Sequence, residues 1–197
     1  DFGCGVGRLT RALATHFEHV YGVDASLSMI KFAQKLNASF PSCQFLVSPE
    51  TSLNMFKSDE FDMVYSWQVF QNMRNPAVAV SLMVECARVL KEGGLLAFQC
   101  PIPLPRTVVA GRCKPLKAFL KSVGVKRSHI YWPLRALGVG RELLYARLKL
   151  RPEVSVIGMP QDQVTSLLNH AGAQVLEIQR GSFAGLPDVN RTYWITK

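Results

Sequence analysis

Asp1-Phe2-Gly3-Cys4-Gly5-Val6-Gly7 places three glycines at alternate positions behind a carboxylate. Glycine has no Cβ, so such a loop turns sharply and lets a ligand lie against bare backbone. The run Arg8 to Phe17 carries Leu9, Ala12, Leu13 and Phe17 at helical spacing. It predicts a helix whose first N–H groups point at that ligand. Asp24 follows Gly3 by 21 residues, near the roughly 20 expected of a carboxylate that accepts ribose hydroxyls. A dinucleotide fingerprint, G-x-G-x-x-G, would need its third glycine where this chain has Arg8, which argues for a shorter nucleoside-bearing ligand.

The elements that must hold these residues alternate along the chain. His19 to Val23 reads as a short strand ending at Asp24, and Ser26 as the cap of a helix lined by Met29, Ile30, Ala33 and Leu36. Gln44 to Val47 and Phe61 to Ser66 read as strands. Pro76 to Leu90 reads as a helix with Val80, Met83, Val84, Ala87 and Leu90 on its core side, stopped by Lys91-Glu92-Gly93-Gly94. Leu95 to Cys100 is a strand closed by the proline-rich Pro101 to Pro105. Later, Gln161 to Ala171 predicts a helix stopped by Gly172. Gln174 to Gln179 and Arg191 to Thr196 are strands separated by a loop with Gly185 and Pro187, which suits a hairpin.

This alternation predicts an α/β fold: a Rossmann-like, doubly wound, mostly parallel sheet with an antiparallel C-terminal hairpin strand and a helical basic insertion. Ligands of such sheets bind at the C-terminal strand ends. Residues 1–100 would form the cofactor-binding part, 101–159 a basic cap, and 160–197 the helix and strands that complete the same domain. Only Asp1 and Phe2 stand for the strand that should lead into the glycine loop, so the first strand reads as truncated and the chain as a fragment. In the expected order that strand lies at the sheet's centre.

At 197 residues and 48% hydrophobic content the chain can bury one sizeable core. Its five cysteines (4, 43, 86, 100 and 113) are scattered, with no paired spacing and no histidine partner at ligand spacing. Free thiols in a reducing, cytoplasmic compartment fit best, and no metal site is expected. No apolar run reaches the ~18 residues of a membrane span, and no signal-peptide pattern opens the chain. The net charge of +9 is local: residues 106–151 hold twelve Lys and Arg against one acid, Glu142.

Taken in order, the glycine loop, Tyr21-Gly22-Val23-Asp24-Ala25-Ser26, Phe61-Asp62-Met63-Val64-Tyr65-Ser66, Ala87 to Gly94 and Tyr193-Trp194-Ile195 resemble the motifs of class I S-adenosylmethionine-dependent methyltransferases. The resemblance covers about residues 1–100 and 160–197. It implies S-adenosyl-L-methionine as cofactor. Gly3, Cys4, Gly5 and Gly7 would then lie against its methionyl part, Asp1 beside its amino group and Asp24 on its ribose. Ala25 and Met29 would pack on adenine, with Glu50, or Asp59 further along, near the adenine amino group, although Pro49 stands where the family usually has an acid. Ser66 and Gln68 would border cofactor and substrate.

The segment after the fourth strand, Ser66 to Met73, lacks the D/N-P-P-Y/F and Pro-Cys patterns of nucleic-acid amino and C5-cytosine methylation. It has Asn72 where many relatives carry His, so no general base carries over. Methyl transfer from a sulfonium is an in-line displacement that positioning can largely support. If a base is used, His129 and Tyr131 are the candidates. The acceptor reads as a small molecule methylated on oxygen or nitrogen. The basic segment suits an anionic acceptor, one on an acidic carrier protein, or a lipid-like one met at a membrane surface. Nucleic acid fits less well, because charge alone gives nonspecific affinity. The competing reading is a nonenzymatic methyltransferase-like domain whose basic insertion docks a partner.

Overall fold

The computed structural model describes residues 1–48, 52–73, 75–103, 157–183 and 186–197, and the structural statements that follow concern these. The chain divides into two compact units, residues 1–103 with 156–197, and residues 104–155. Glu50, His129, Tyr131 and nearly all of the basic cap lie outside the described residues.

In chain order the elements are α1 (Arg8–Leu13), β1 (Val20–Asp24), α2 (Leu27–Leu36), β2 (Cys43–Val47), β3 (Phe61–Ser66), a 3-10 turn (Phe70–Asn72), α3 (Pro76–Val89), β4 (Leu90–Pro101), α4 (Gln161–His170), β5 (Gln174–Phe183) and β6 (Leu186–Thr196). β1 and β2 pair in parallel. The other strands form a sheet of order β3-β4-β6-β5, parallel at β3–β4 and antiparallel at β4–β6 and β5–β6. The expected mostly parallel core with a C-terminal antiparallel hairpin is what forms.

Asp1 and Phe2 join the two sheets. Phe2 bridges Val23 in parallel, its N–H donates to the Tyr65 carbonyl at 2.8 Å, and Val23 N–H donates to the Asp1 carbonyl at 2.9 Å. The dipeptide therefore sits between β1 and β3, at the sheet's centre.

Helices cover the two sheets from separate clusters. Cys4, Ile30, Ala33 and Phe45 pack α2 onto β1–β2. Leu82, Met83, Leu96, Phe98, Leu168 and Tyr193 belong to the larger core, where α3 and α4 meet the four-stranded sheet. Burying a Leu or Phe side chain of this kind contributes about 1.5–3 kcal/mol. Asn75 caps α3 by accepting from Val78 N–H at 2.9 Å, with Pro76 in its first turn.

Three local expectations are corrected. α1 ends at Leu13, not Phe17, and its fully buried residue is Thr10: the Thr10 hydroxyl donates to the Asp1 carboxylate at 2.7 Å, which turns that face inward. On α2, Ile30 and Ala33 are buried, whereas Met29 is 43% and Leu36 59% exposed. The buried Asn37, bonded to Val6 and Ala33 carbonyls, completes the inner face instead. Finally, Lys91 to Gly94 does not separate helix from strand. β4 starts at Leu90, opposite Phe61, and bulges before Leu95 pairs with Met63, with Gly93 at φ 72°.

Candidate functional site

β1 ends at Asp24, and the carboxylate there is fixed from two sides. Gly5 N–H donates to Oδ2 at 2.9 Å and Ser26 N–H to Oδ1 at 2.8 Å. Charge-assisted bonds of this kind contribute about 1.5–3 kcal/mol each. They lock the glycine loop to the β1–α2 turn. Each oxygen keeps acceptor capacity for a further donor.

Gly3, Gly5 and Gly7 all have positive φ, at 75°, 56° and 78°. Their surroundings differ. A Cβ at Gly7 would strike the Phe45 ring at 2.5 Å, whereas one at Gly5 would meet nothing within 4 Å. Gly5 therefore faces open space directly beside the Asp24 carboxylate, and that is where a ligand can approach bare backbone.

The loop's N–H groups are mostly used within the fold. Gly3 and Cys4 N–H both donate to the Val23 carbonyl, at 2.7 and 3.0 Å, and Gly7 N–H donates to the Cys4 carbonyl at 2.9 Å. α1 is six residues long and begins directly after the loop, with Gly7 at its N-cap.

Asp1, half-buried, accepts from Thr10 and stands at the head of the same loop. Burial pushes the Cys4 thiol up to about 11, reinforced by the Asp24 charge, so it remains a protonated packing group and not a nucleophile. Ala25 and Met29 are exposed beyond Asp24. Gln68, also exposed, holds a left-handed φ of 58°, and its carbonyl accepts from the Asn72 carboxamide at 2.7 Å. Such strain in a non-glycine residue costs on the order of 1 kcal/mol and is concentrated at functional sites.

Ser66 departs from its expected place at the rim. It is fully buried, and its hydroxyl donates to the Phe2 carbonyl at 3.1 Å, so it ties β3 to the leading dipeptide. Cys100 likewise closes β4 from inside the core, and burial pushes its thiol up to about 12.

Sequence reasoning did not single out Thr10, Val69 or Gln71. Thr10 orients Asp1, and Val69 is the side chain that a Cβ at Gly3 would strike. Gln71 is buried with Oε1 lacking a partner. A threonine among apolar helical positions was the one available signal. The other two depend on how the loop after β3 folds back. Among the described residues no group of three His, Cys, Asp or Glu side chains is placed to hold a metal, and no helix is long and apolar enough to cross a membrane.

A parallel sheet with helices on both sides, a glycine loop after its central strand, an acid ending the next strand and an antiparallel last strand define the class I methyltransferase fold. Residues 1–98 match the methyltransferase domain family, and the chain belongs to the class I S-adenosylmethionine-dependent methyltransferases. It is 33% identical over 98 residues to a ubiquinone biosynthesis O-methyltransferase of Maricaulis maris, a match covering 49% of this chain and 37% of that protein. A phosphoethanolamine N-methyltransferase of Arabidopsis thaliana is 30% identical over 100 residues, 50% of this chain and 20% of the relative. The matches thus span less than two-fifths of these relatives' length. Among solved structures, the magnesium protoporphyrin IX methyltransferase of Synechocystis, with bound S-adenosylhomocysteine, superposes with a TM-score of 0.62 at 18% identity, over 100% of this chain and 72% of that one.

Proposed function

We propose that the protein transfers a methyl group from S-adenosyl-L-methionine to an oxygen or nitrogen of a small-molecule acceptor, chiefly by holding the two in place. The observation that carries this reading is the Asp24 carboxylate, pinned by Gly5 and Ser26 N–H beside the open side of Gly5. A ribose fits that chemistry: its vicinal hydroxyls are donors, and Asp24 is a fixed double acceptor.

The cofactor supplies a methyl group on a sulfonium that is already activated for displacement. The chain supplies the rest. Asp24 orients the ribose, Asp1 balances the charge of the amino group, and within the loop of Gly3, Cys4, Gly5 and Gly7 the open side of Gly5 offers bare backbone. Ala25 and Met29 offer apolar surface to the adenine, with Glu50 near its amino group. Gln68 edges the opening toward the acceptor. Positioning of this kind is worth several orders of magnitude in rate without a dedicated base, and His129 or Tyr131 would serve where the acceptor must lose a proton.

The charge of residues 106–151, twelve bases against one acid, favours an acceptor that is anionic, carried on an acidic protein, or lipid-like. Both O- and N-methylation occur among the relatives. The free thiols of Cys4, Cys43, Cys86 and Cys100 accord with a cytoplasmic setting. Calorimetric titration with S-adenosylmethionine and S-adenosylhomocysteine tests the reading. Saturable one-to-one binding of both, abolished by Asp24→Ala, is the expected outcome, and absence of binding to the parent chain would sink it.

A further inference from the structure

The surface built by α1 and α2 is apolar and cationic at once. Leu27 is 56%, Phe32 57% and Leu36 59% exposed, although α2 buries Ile30 and Ala33 on its inner side. On a helix, residues four apart share a ridge. Leu27, Lys31 and Lys35 form one outward ridge, and Ser28, Phe32 and Leu36 form the next. Lys31 and Lys35 are both exposed.

The neighbouring loop and α1 continue this surface. Val6 is 40% exposed, and its carbonyl accepts from Asn37 at the end of α2 at 3.0 Å. The Arg11 guanidinium lies 5.5 Å from the centre of the Phe40 ring, just past that helix. Arg8, also exposed, follows the loop. From Ala25 to Ser48 the sequence contains no acid, and α1 contains none either.

Large exposed side chains are unremarkable singly. Here they stand in contiguous rows, and the ionised groups on the two helices themselves all carry one sign. A protein partner would have to bring both apolar and acidic surface. A bilayer with anionic headgroups offers the two at once: phosphates for the cations, and the acyl boundary for Phe32 and Leu36, while the lysine stems extend along the interface.

We propose that the α1–α2 face docks on an anionic membrane surface, with Phe32 and Leu36 entering the interface and Arg8, Arg11, Lys31 and Lys35 meeting the headgroups. Val6 lies between Gly5 and Gly7, so this contact brings the rim of the candidate site next to lipid. The inference is independent of methyl transfer, because vesicle binding is read without cofactor or turnover.

Flotation of the full chain with phosphatidylcholine vesicles, and with vesicles containing phosphatidylglycerol, tests it. The parent should float with the anionic vesicles and stay behind with the neutral ones. Lys31→Gln with Lys35→Gln should weaken binding roughly thirtyfold, at about 1 kcal/mol for each cation near the surface. Phe32→Gln with Leu36→Gln should weaken it at least as much while the far-ultraviolet circular dichroism is unchanged. Equal binding to both vesicle types, or no binding, overturns the proposal. So does undiminished binding by both double variants alongside loss in Lys117→Gln with Lys121→Gln, which would move the contact to the basic segment.

Discussion

A Cβ on Gly3 would fall 2.2 Å from Cγ2 of Val69. The glycine loop and the segment following β3 are therefore packed together to the limit that a hydrogen allows, and the ligand-side loops of the two sheets form one surface. Gly3→Ala should cost about 3 kcal/mol, combining the left-handed backbone strain with overpacking. Urea unfolding measures it. Adding Val69→Ala should recover the packing part and leave the backbone part.

Gly5→Ala isolates the opposite case. No atom stands in the way of its Cβ, so only the strain at φ 56° remains, about 1 kcal/mol. Affinity for S-adenosylhomocysteine should nevertheless drop at least tenfold, because the methyl group enters the space beside Asp24. If calorimetry shows affinity unchanged in a folded Gly5→Ala variant, the ligand does not lie there.

Asp24→Asn keeps the side chain's shape but replaces one acceptor oxygen with a donor, opposite the N–H of either Gly5 or Ser26. Leaving such a donor unmatched costs about 1–3 kcal/mol. The melting temperature should fall, and the rise that saturating S-adenosylhomocysteine gives the parent should largely vanish. A full ligand-induced rise in the variant would remove Asp24 from the site.

These residues mark how much could be read in advance. The strands were legible because short apolar runs end at turn residues, and the acid ending β1 because Asp24 lies at a fixed distance from the loop. Helical spacing on α2 could not tell which apolar residues face inward: Ile30 and Ala33 do, Met29 and Leu36 do not, since Asn37 takes their place through bonds to two carbonyls. The burial of Thr10 and of Ser66 goes with single long-range hydrogen bonds, Thr10 to Asp1 and Ser66 to Phe2, which no local pattern encodes. The bulge at Lys91 to Gly94 looked like a helix stop because both use glycine at positive φ.

Burial pushes Cys86, like Cys100, up to about 12, whereas Cys43 is only partly covered. In a Cys113→Ser variant, a chromogenic disulfide reagent at neutral pH should titrate one thiol rapidly, and mass mapping should place it at Cys43. Rapid release of two or more without denaturant would contradict the packing around Cys86 and Cys100.

Phe2, Ser66 and the contact of Gly3 with Val69 tie the glycine loop to the segment after β3, and Tyr21 of β1 sets its ring against Phe56 and Phe61. Asp24 and the glycine loop reach the site from the β1 side and Gln68 from the β3 side. A molecule bound across them acts as a clasp, and part of its binding energy goes to holding the two loops together.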